Sequence, residues 1–267
     1  MAEPTAGQIA LLIASVALFA AGWGLSLARL WFDREALRIA AKACMYGGLV
    51  VGLGVLVWHS AGRGNWLPLA DNFDTLIWLG LLLALFVLYT QRTRPLRGLD
   101  WFVSPTVVLL LVAAAVFGRA KPHEYDIRSV WLWTHLVTVF GGALAFAVAG
   151  AVGAMYLLVN RRLRNKRAGP GGGLGSLERL EHLTLASVTL GFSLLTLGTI
   201  TGLVQYLESR GKLPAVKLAL ALSAWVVYAV VLHSPINPSF RGRKAAVLSV
   251  VGFFLVVGTI IVVQFVQ

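Results

Sequence analysis

Residues 190–202 read LGFSLLTLGTITG, an apolar stretch that contains three glycines and three threonines. Gly191, Gly198 and Gly202 interrupt an otherwise apolar helical sequence, although a glycine costs a helix in water about 1 kcal/mol against alanine. In lipid, by contrast, small residues let helices approach closely, and threonine hydroxyls bond to the backbone or to a neighbour. The glycines are spaced by seven and four residues, so we predict that they share one face and that another helix packs against it.

The composition points to the same class of protein. Of 267 residues, 58% are hydrophobic and 13% are charged, and the mean hydropathy is +0.80. Several uncharged runs of about 20 residues are long enough to cross a hydrocarbon core of roughly 30 Å. A membrane barrel would instead alternate apolar and polar residues. We predict an all-α, polytopic membrane helix bundle.

Breakers and hydropathy divide the chain into about eight transmembrane helices, at 8–30, 38–59, 73–90, 100–118, 130–159, 183–207, 215–233 and 244–266. Most of the 23 lysine and arginine residues fall in alternate connections, which the positive-inside rule assigns to the cytoplasm, so both termini are predicted to face outward. This placement also explains the net charge of +12 without a nucleic-acid partner. We expect one membrane domain, with a five-span part (1–160), a cytoplasmic linker (161–180) and a three-span part (181–267).

Histidines are the main ionisable groups within these spans, where polar residues tend to be functional. His59 ends the second predicted span and His135 lies about one turn into the fifth, so both are expected at similar depth near the outer face. His182 and His233 lie at the cytoplasmic ends of the sixth and seventh spans. Two neutral imidazoles that face each other across helices make an axial site for haem iron. A different transition metal, or histidines that merely reach the headgroups, are the alternatives.

Longer stretches of the sequence resemble the cytochrome c assembly (CcsA/CcmC/HemX-like) family of integral membrane haem proteins. The resemblance covers about residues 45–265, and the matching segments occur in the family's order and spacing. They are VWHSAGRGNWLPLADNFDTLIWLGLL (57–82), WTHLVTVFGGALAFAVAGAVGAMYLL (133–158), LERLEHLTLASVTLGFSLLTLGTITGLVQ (177–205), SAWVVYAVVLH (223–233) and RGRKAAVLSVVGFFLVVGTI (241–260).

The resemblance implies roles for individual histidines. His135 resembles the family's outward-facing haem ligand, His233 resembles the histidine that ends the span after the external loop, and His59 occupies the second-span position of the HemX-like branch. We expect haem b bound by His59 and His135, with Arg63 or Arg128 on the propionates. His233 is the candidate for a second, inner site, with His182 as its nearby partner.

The sequence departs from the family's synthetase members in two places. Their tryptophan-rich external segment is replaced by YLESRGKLPAVK (206–217), and their later external histidine has no counterpart. We therefore expect His59 to take the place of that histidine as the partner of His135. We also expect no independent catalytic activity, and we place the chain in the HemX-like branch.

Two functions are consistent with these features. The first is a haem-binding protein of a bacterial-type inner membrane that serves cytochrome c maturation or haem handling, with other membrane proteins of that pathway as partners. The second is a haem-containing membrane-anchor or electron-transfer subunit of a respiratory complex. A haem-free transporter is disfavoured, because it would require a polar site near the membrane midplane.

Overall fold

A computed structural model of the protein describes residues 4–29, 32, 34–64, 72–93, 98–117, 129–165, 176–208, 215–233 and 242–266. Over these ranges the chain forms eight α-helices and no strand, which confirms the predicted all-α class. The helices are α1 (Ala6–Ala28), α2 (Glu35–Arg63), α3 (Asn72–Thr93), α4 (Leu99–Phe117), α5 (Val130–Arg164), α6 (Leu177–Glu208), α7 (Ala215–Leu232) and α8 (Arg243–Val266).

Six of these helices, α1 to α6, are long and apolar enough to cross a membrane, judged by length and composition over the described residues. Within α7, Leu218–Leu232 forms a shorter apolar helix. Each of the eight predicted spans coincides with one observed helix, to within a few residues at most ends. The protein is therefore a polytopic helical membrane bundle, as predicted, and the outward orientation of its termini stays a prediction.

The helices group into two compact units, and the first is Met1–Glu124, which contains α1 to α4. Within this unit α1 packs against α2 and α4, and α3 packs against α4 and α2. Two glycines of α2 allow the close approach: a Cβ at Gly48 would lie 2.9 Å from the ring of Phe19, and one at Gly52 would lie 2.7 Å from Leu81. Small residues at such contacts are typical of helix packing in lipid.

A proline inside α4 creates a second link within the first unit. Pro105 has no N–H to donate to the carbonyl of Trp101, four residues earlier in the helix. The indole Nε1–H of Trp23 on α1 donates to that carbonyl oxygen instead, at 3.0 Å. A hydrogen bond between helices thus replaces one that the helix itself cannot make.

The second unit is Tyr125–Gln267, which contains α5 to α8. The long helix α5 packs chiefly against α6 and α8, and α7 packs against α8 and α6. In its core the rings of Phe146 and Tyr228 stack with centroids 3.7 Å apart. A Cβ at Gly252 of α8 would lie 2.7 Å from the ring of Tyr228.

The glycines of residues 190–202 serve the packing between α5 and α6, as the sequence predicts. A Cβ at Gly191 would lie 2.7 Å from the ring of Phe146, and one at Gly198 would lie 3.2 Å from Oγ1 of Thr138. The third glycine faces His135 and belongs to the site described below. The predicted five-span and three-span parts stay a prediction, and residues 166–175 of their linker (161–180) lie outside the described part of the chain.

Candidate functional site

His59 lies on the last turns of α2, where it is only 2% exposed. Its Nδ1 is 3.2 Å from Oε1 of Gln8, a residue of the first turn of α1 that is 3% exposed. The ring of Phe73, at the start of α3, packs against the imidazole with centroids 5.0 Å apart and planes inclined by 58°. Three helices of the first unit therefore hold this side chain.

The contacts of Gln8 determine which nitrogen of His59 carries the proton. The backbone N–H of Thr5 donates to Oε1 of Gln8 at 2.9 Å, so the atom that faces His59 is the amide oxygen and not the amide nitrogen. An amide oxygen only accepts hydrogen bonds. Nδ1 of His59 must then be the donor, and in the neutral ring Nε2 carries the lone pair.

An ion pair lies one helical turn beyond His59. A guanidinium nitrogen of Arg63 is 2.6 Å from a carboxylate oxygen of Asp74, and the two side chains are 7% and 0% exposed. The sequence predicts Arg63 or Arg128 at a haem propionate, and this role stays a prediction. In the structure Arg63 contacts a carboxylate of the protein itself. Arg63 follows His59 by four residues on α2, and Asp74 directly follows Phe73, whose ring packs on His59. The pair therefore lies in the surroundings of His59, and buried ionisable groups in membrane helices tend to be functional.

His135 is held in the second unit by the backbone of α6. Its Nδ1 is 2.8 Å from the carbonyl oxygen of Gly198, and a Cβ at Gly202 would lie 2.7 Å from its Cε1 and 2.9 Å from its Nδ1. Without a side chain at 202, the imidazole lies directly on the helix surface. Thr138 closes the same turn of α5, since its hydroxyl donates to the carbonyl oxygens of Thr134 and His135 at 2.8 and 2.9 Å.

The proton position of His135 follows from its partner in the same way. A carbonyl oxygen only accepts, so Nδ1 of His135 donates and Nε2 carries the lone pair of the neutral ring. His59 and His135 thus share one tautomer, each with Nδ1–H bound to an oxygen. Histidines that bind a metal are commonly held by this second-nitrogen hydrogen bond.

The remaining predicted residues have different surroundings. His233 is exposed and directly follows α7, where its Nδ1 lies 2.9 Å from the carbonyl oxygen of Ala229 in the same helix. His182 is exposed on the first turns of α6. Arg128 lies outside the described residues, as do residues 209–214 of the stretch that replaces the tryptophan-rich segment.

Sequence reasoning missed two residues that contact this site, Gln8 and Asp74. An acidic residue in the first turn of a membrane span, as in NFDTL (72–76), is a signal that could have identified Asp74. The capping-box spacing of Thr5 and Gln8 at the start of α1 predicts a helix start. It gives no indication that the same amide oxygen also receives a hydrogen bond from a residue of α2.

Comparison with known proteins gives consistent matches. The sequence model of the Cytochrome C assembly protein family matches residues 66–267. The chain is 27% identical over 237 residues to the cytochrome c biogenesis protein CcsA of Prochlorococcus marinus (strain MIT 9303), with 76% of this chain and 73% of the relative covered. It is 28% identical over 231 residues to CcsA of Synechococcus sp. (strain RCC307), with 75% and 74% covered.

A third relative extends the similarity along the chain. CcsA of Prochlorococcus marinus (strain MIT 9312) is 26% identical over 255 residues, with 85% of this chain and 81% of the relative covered. The family model alone matches well over half of the chain. The protein therefore belongs to the Cytochrome C assembly protein family.

Proposed function

We propose that the protein binds haem b in the membrane and serves cytochrome c maturation, with His59 and His135 as ligands of the iron. The observation that supports this most directly is the shared tautomer of the two rings. Each donates Nδ1–H to an oxygen that can only accept, so that the lone pair of each lies on Nε2. A neutral imidazole nitrogen held in this way would be able to bind haem iron.

The two histidines are oriented by different kinds of oxygen atom. Gln8 orients His59 through a side-chain oxygen, and Gly198 orients His135 through a main-chain oxygen. Haem, when bound, supplies an iron centre that can be carried or can change redox state. His59 and His135 would hold it, with their rings oriented by Gln8 and Gly198.

Cytochrome c maturation is favoured over the predicted alternative, a haem-containing subunit of a respiratory complex. The family is that of cytochrome c assembly proteins, and the relatives are named as cytochrome c biogenesis proteins. The partners would be haem and other membrane proteins of that pathway. Six apolar helices and relatives from bacteria support a multi-pass location in the inner membrane.

Four finer assignments rest on the sequence alone. The similar predicted depth of His59 and His135 is the reason to place them on one iron, and the second-span position of His59 is the reason to name the HemX-like branch. His233 as a second, inner site is a prediction of the resemblance. The propionate role of Arg63 and Arg128 likewise stays a prediction.

Absorption spectra of the purified protein test the proposal, recorded oxidised and dithionite-reduced after haem-replete expression. We expect a Soret band and sharp reduced bands of a low-spin haem in the wild type. His59→Ala and His135→Ala are each expected to lose haem or to shift these bands, because each removes one of the nitrogens that would bind the iron. His182→Ala is the matched control for the bands of this haem, which it should leave unshifted, because the exposed His182 is predicted only at the second, inner site.

The outcomes separate the parts of the proposal. A wild-type protein without a Soret band would rule out haem binding. Full haem content with unshifted bands in both single variants would rule out His59 and His135 as ligands while leaving haem binding intact. The haem-to-protein ratio of His233→Ala, compared with that of the wild type, tests the second site.

A further inference from the structure

We propose that Gln8, at the start of α1, is a positioning residue that fixes the tautomer and orientation of His59 and so tunes it as an iron ligand. The inference rests on the proposed role of His59. It goes further because it assigns a part in that role to a helix near the N-terminus. Both Gln8 and His59 precede residue 66, where the match to the family's sequence model begins.

The amide oxygen of Gln8 receives two hydrogen bonds. One comes from the backbone N–H of Thr5 at 2.9 Å, and the other comes from Nδ1 of His59 at 3.2 Å. In return, the backbone N–H of Gln8 donates to Oγ1 of Thr5 at 3.3 Å. The side chain therefore belongs to a capping box and, at the same time, reaches a histidine 51 residues away in the chain.

The surroundings prevent Gln8 from exchanging its oxygen and nitrogen. Gln8 and His59 are 3% and 2% exposed, so neither is surrounded by water that could replace the partner. Rotation of the amide would place its NH₂ group against the Thr5 N–H, and two donors would then face each other. The indole of Trp58 also packs on Gly7, where a Cβ would lie only 2.8 Å from the ring. The start of α1 and the end of α2 are thus also held together by packing beside this hydrogen bond.

The hydrogen bond has a chemical consequence at the opposite side of the ring. An acceptor at Nδ1–H keeps the lone pair on Nε2 and raises the basicity of that nitrogen. Loss of such a partner commonly lowers metal affinity about 10- to 100-fold. A carboxylate in place of the amide would strengthen the hydrogen bond, since it is then charge-assisted.

The first experiment uses the full-length, haem-free protein with ¹⁵N-labelled histidine and reads the tautomer from the imidazole nitrogen shifts. The His59 signal is assigned as the one missing in His59→Ala. We expect a protonated Nδ1 and an unprotonated Nε2 in the wild type. Gln8→Leu should shift His59 towards the other tautomer, while Gln8→Glu, which keeps an acceptor oxygen, should retain the wild-type form.

Two controls separate this effect from a general loosening of α1. Ser15→Ala removes another buried hydrogen bond between α1 and α2, in which the serine hydroxyl donates to the carbonyl oxygen of Gly48 at 2.8 Å. Thr5→Ala removes the capping oxygen and leaves the amide oxygen of Gln8 in place. Both variants should keep the wild-type tautomer of His59.

The second experiment measures haem retention and midpoint potential in the same variants. Gln8→Leu should lower haem affinity by about 10- to 100-fold, and Gln8→Glu should retain haem at a lower potential than the wild type. A wild-type His59 protonated on Nε2, or an unchanged tautomer in Gln8→Leu, would overturn the inference, whatever the haem content. A wild type without a Soret band would instead overturn the proposed function. The tautomer measurement would still show whether Gln8 fixes the protonated nitrogen of His59.

Discussion

A methyl group on Gly202 would lie 2.7 Å from Cε1 of His135, closer than two carbon atoms can approach without displacement. The absence of a side chain at this position of α6 is therefore what allows the imidazole to reach the carbonyl oxygen of Gly198 at 2.8 Å. A residue that forms no contact through a side chain of its own thus determines where a proposed ligand lies.

Gly202→Ala is expected to displace His135 and to lower haem content, because the new methyl group and the ring cannot occupy the same space. Haem content per chain and the Soret position after purification measure this effect. Gly54→Ala is the matched control, since no atom lies within 4 Å of a Cβ at this glycine in the described part of the chain. Wild-type haem content and bands in Gly202→Ala would show that the ring does not depend on this space.

Asp74→Asn is expected to destabilise the protein by roughly 3 kcal/mol, because it removes a carboxylate from a buried guanidinium. Reversible unfolding in mixed micelles of detergent and SDS measures the free energy of unfolding. The double variant Arg63→Met/Asp74→Leu should lose less unfolding free energy than Asp74→Asn, since it leaves no unpaired charge buried at this position.

The control for this buried pair is an exposed ion pair on α2, the helix that carries Arg63. Glu35 and Arg38 form an ion pair at the start of α2, with side chains that are 61% and 50% exposed. Glu35→Gln should therefore change the free energy of unfolding by less than about 1 kcal/mol. Equal losses of unfolding free energy in Asp74→Asn and Glu35→Gln would show that the contribution of an ion pair to stability does not depend on its burial here.

Trp23→Phe is expected to cost about 1 kcal/mol, because the carbonyl of Trp101 loses the donor that compensates for Pro105. In the background of Pro105→Ala, residue 105 can donate its own N–H to that carbonyl, so the same change should cost less. A double-mutant cycle in mixed micelles measures the difference. Simple additivity of the two changes would show that the indole and the proline are not coupled.

Gly252→Ala is expected to destabilise the second unit by about 1–3 kcal/mol through overpacking. Its methyl group would lie 2.7 Å from Cζ of Tyr228, whose ring cannot retreat because it stacks on Phe146 at 3.7 Å. Gly258→Ala, on the same helix, meets no described atom within 4 Å and should cause no loss. Thermal unfolding of both variants in one detergent provides the comparison.

The sequence predicts the helices well because span length and hydropathy are properties of contiguous residues. The predicted spans 73–90 and 100–118 correspond to Asn72–Thr93 and Leu99–Phe117, and the glycines of residues 190–202 face α5 as their spacing indicates. The histidines could be selected for the same reason, since few other ionisable residues occur in apolar runs.

The partners of those residues could not be predicted in the same way. Gln8 and His59 are 51 residues apart, and Trp23 donates to a carbonyl 78 residues away. Such pairs depend on which helices are neighbours and at what height, and hydropathy reports neither. The sequence indicates that Arg63 needs a negatively charged partner, but it gives no indication that the carboxylate of Asp74 lies beside it.

The two proposed ligands differ in how their hydrogen-bond acceptors are encoded. The acceptor of His135 is a main-chain oxygen, which no single codon change can convert into a stronger or weaker base. The acceptor of His59 is a side chain, so a substitution at one position can change how strongly it accepts the hydrogen bond. Residue 8 is therefore the point at which evolution, or a protein engineer, could retune the site electronically while the framework of α5 and α6 stays unchanged.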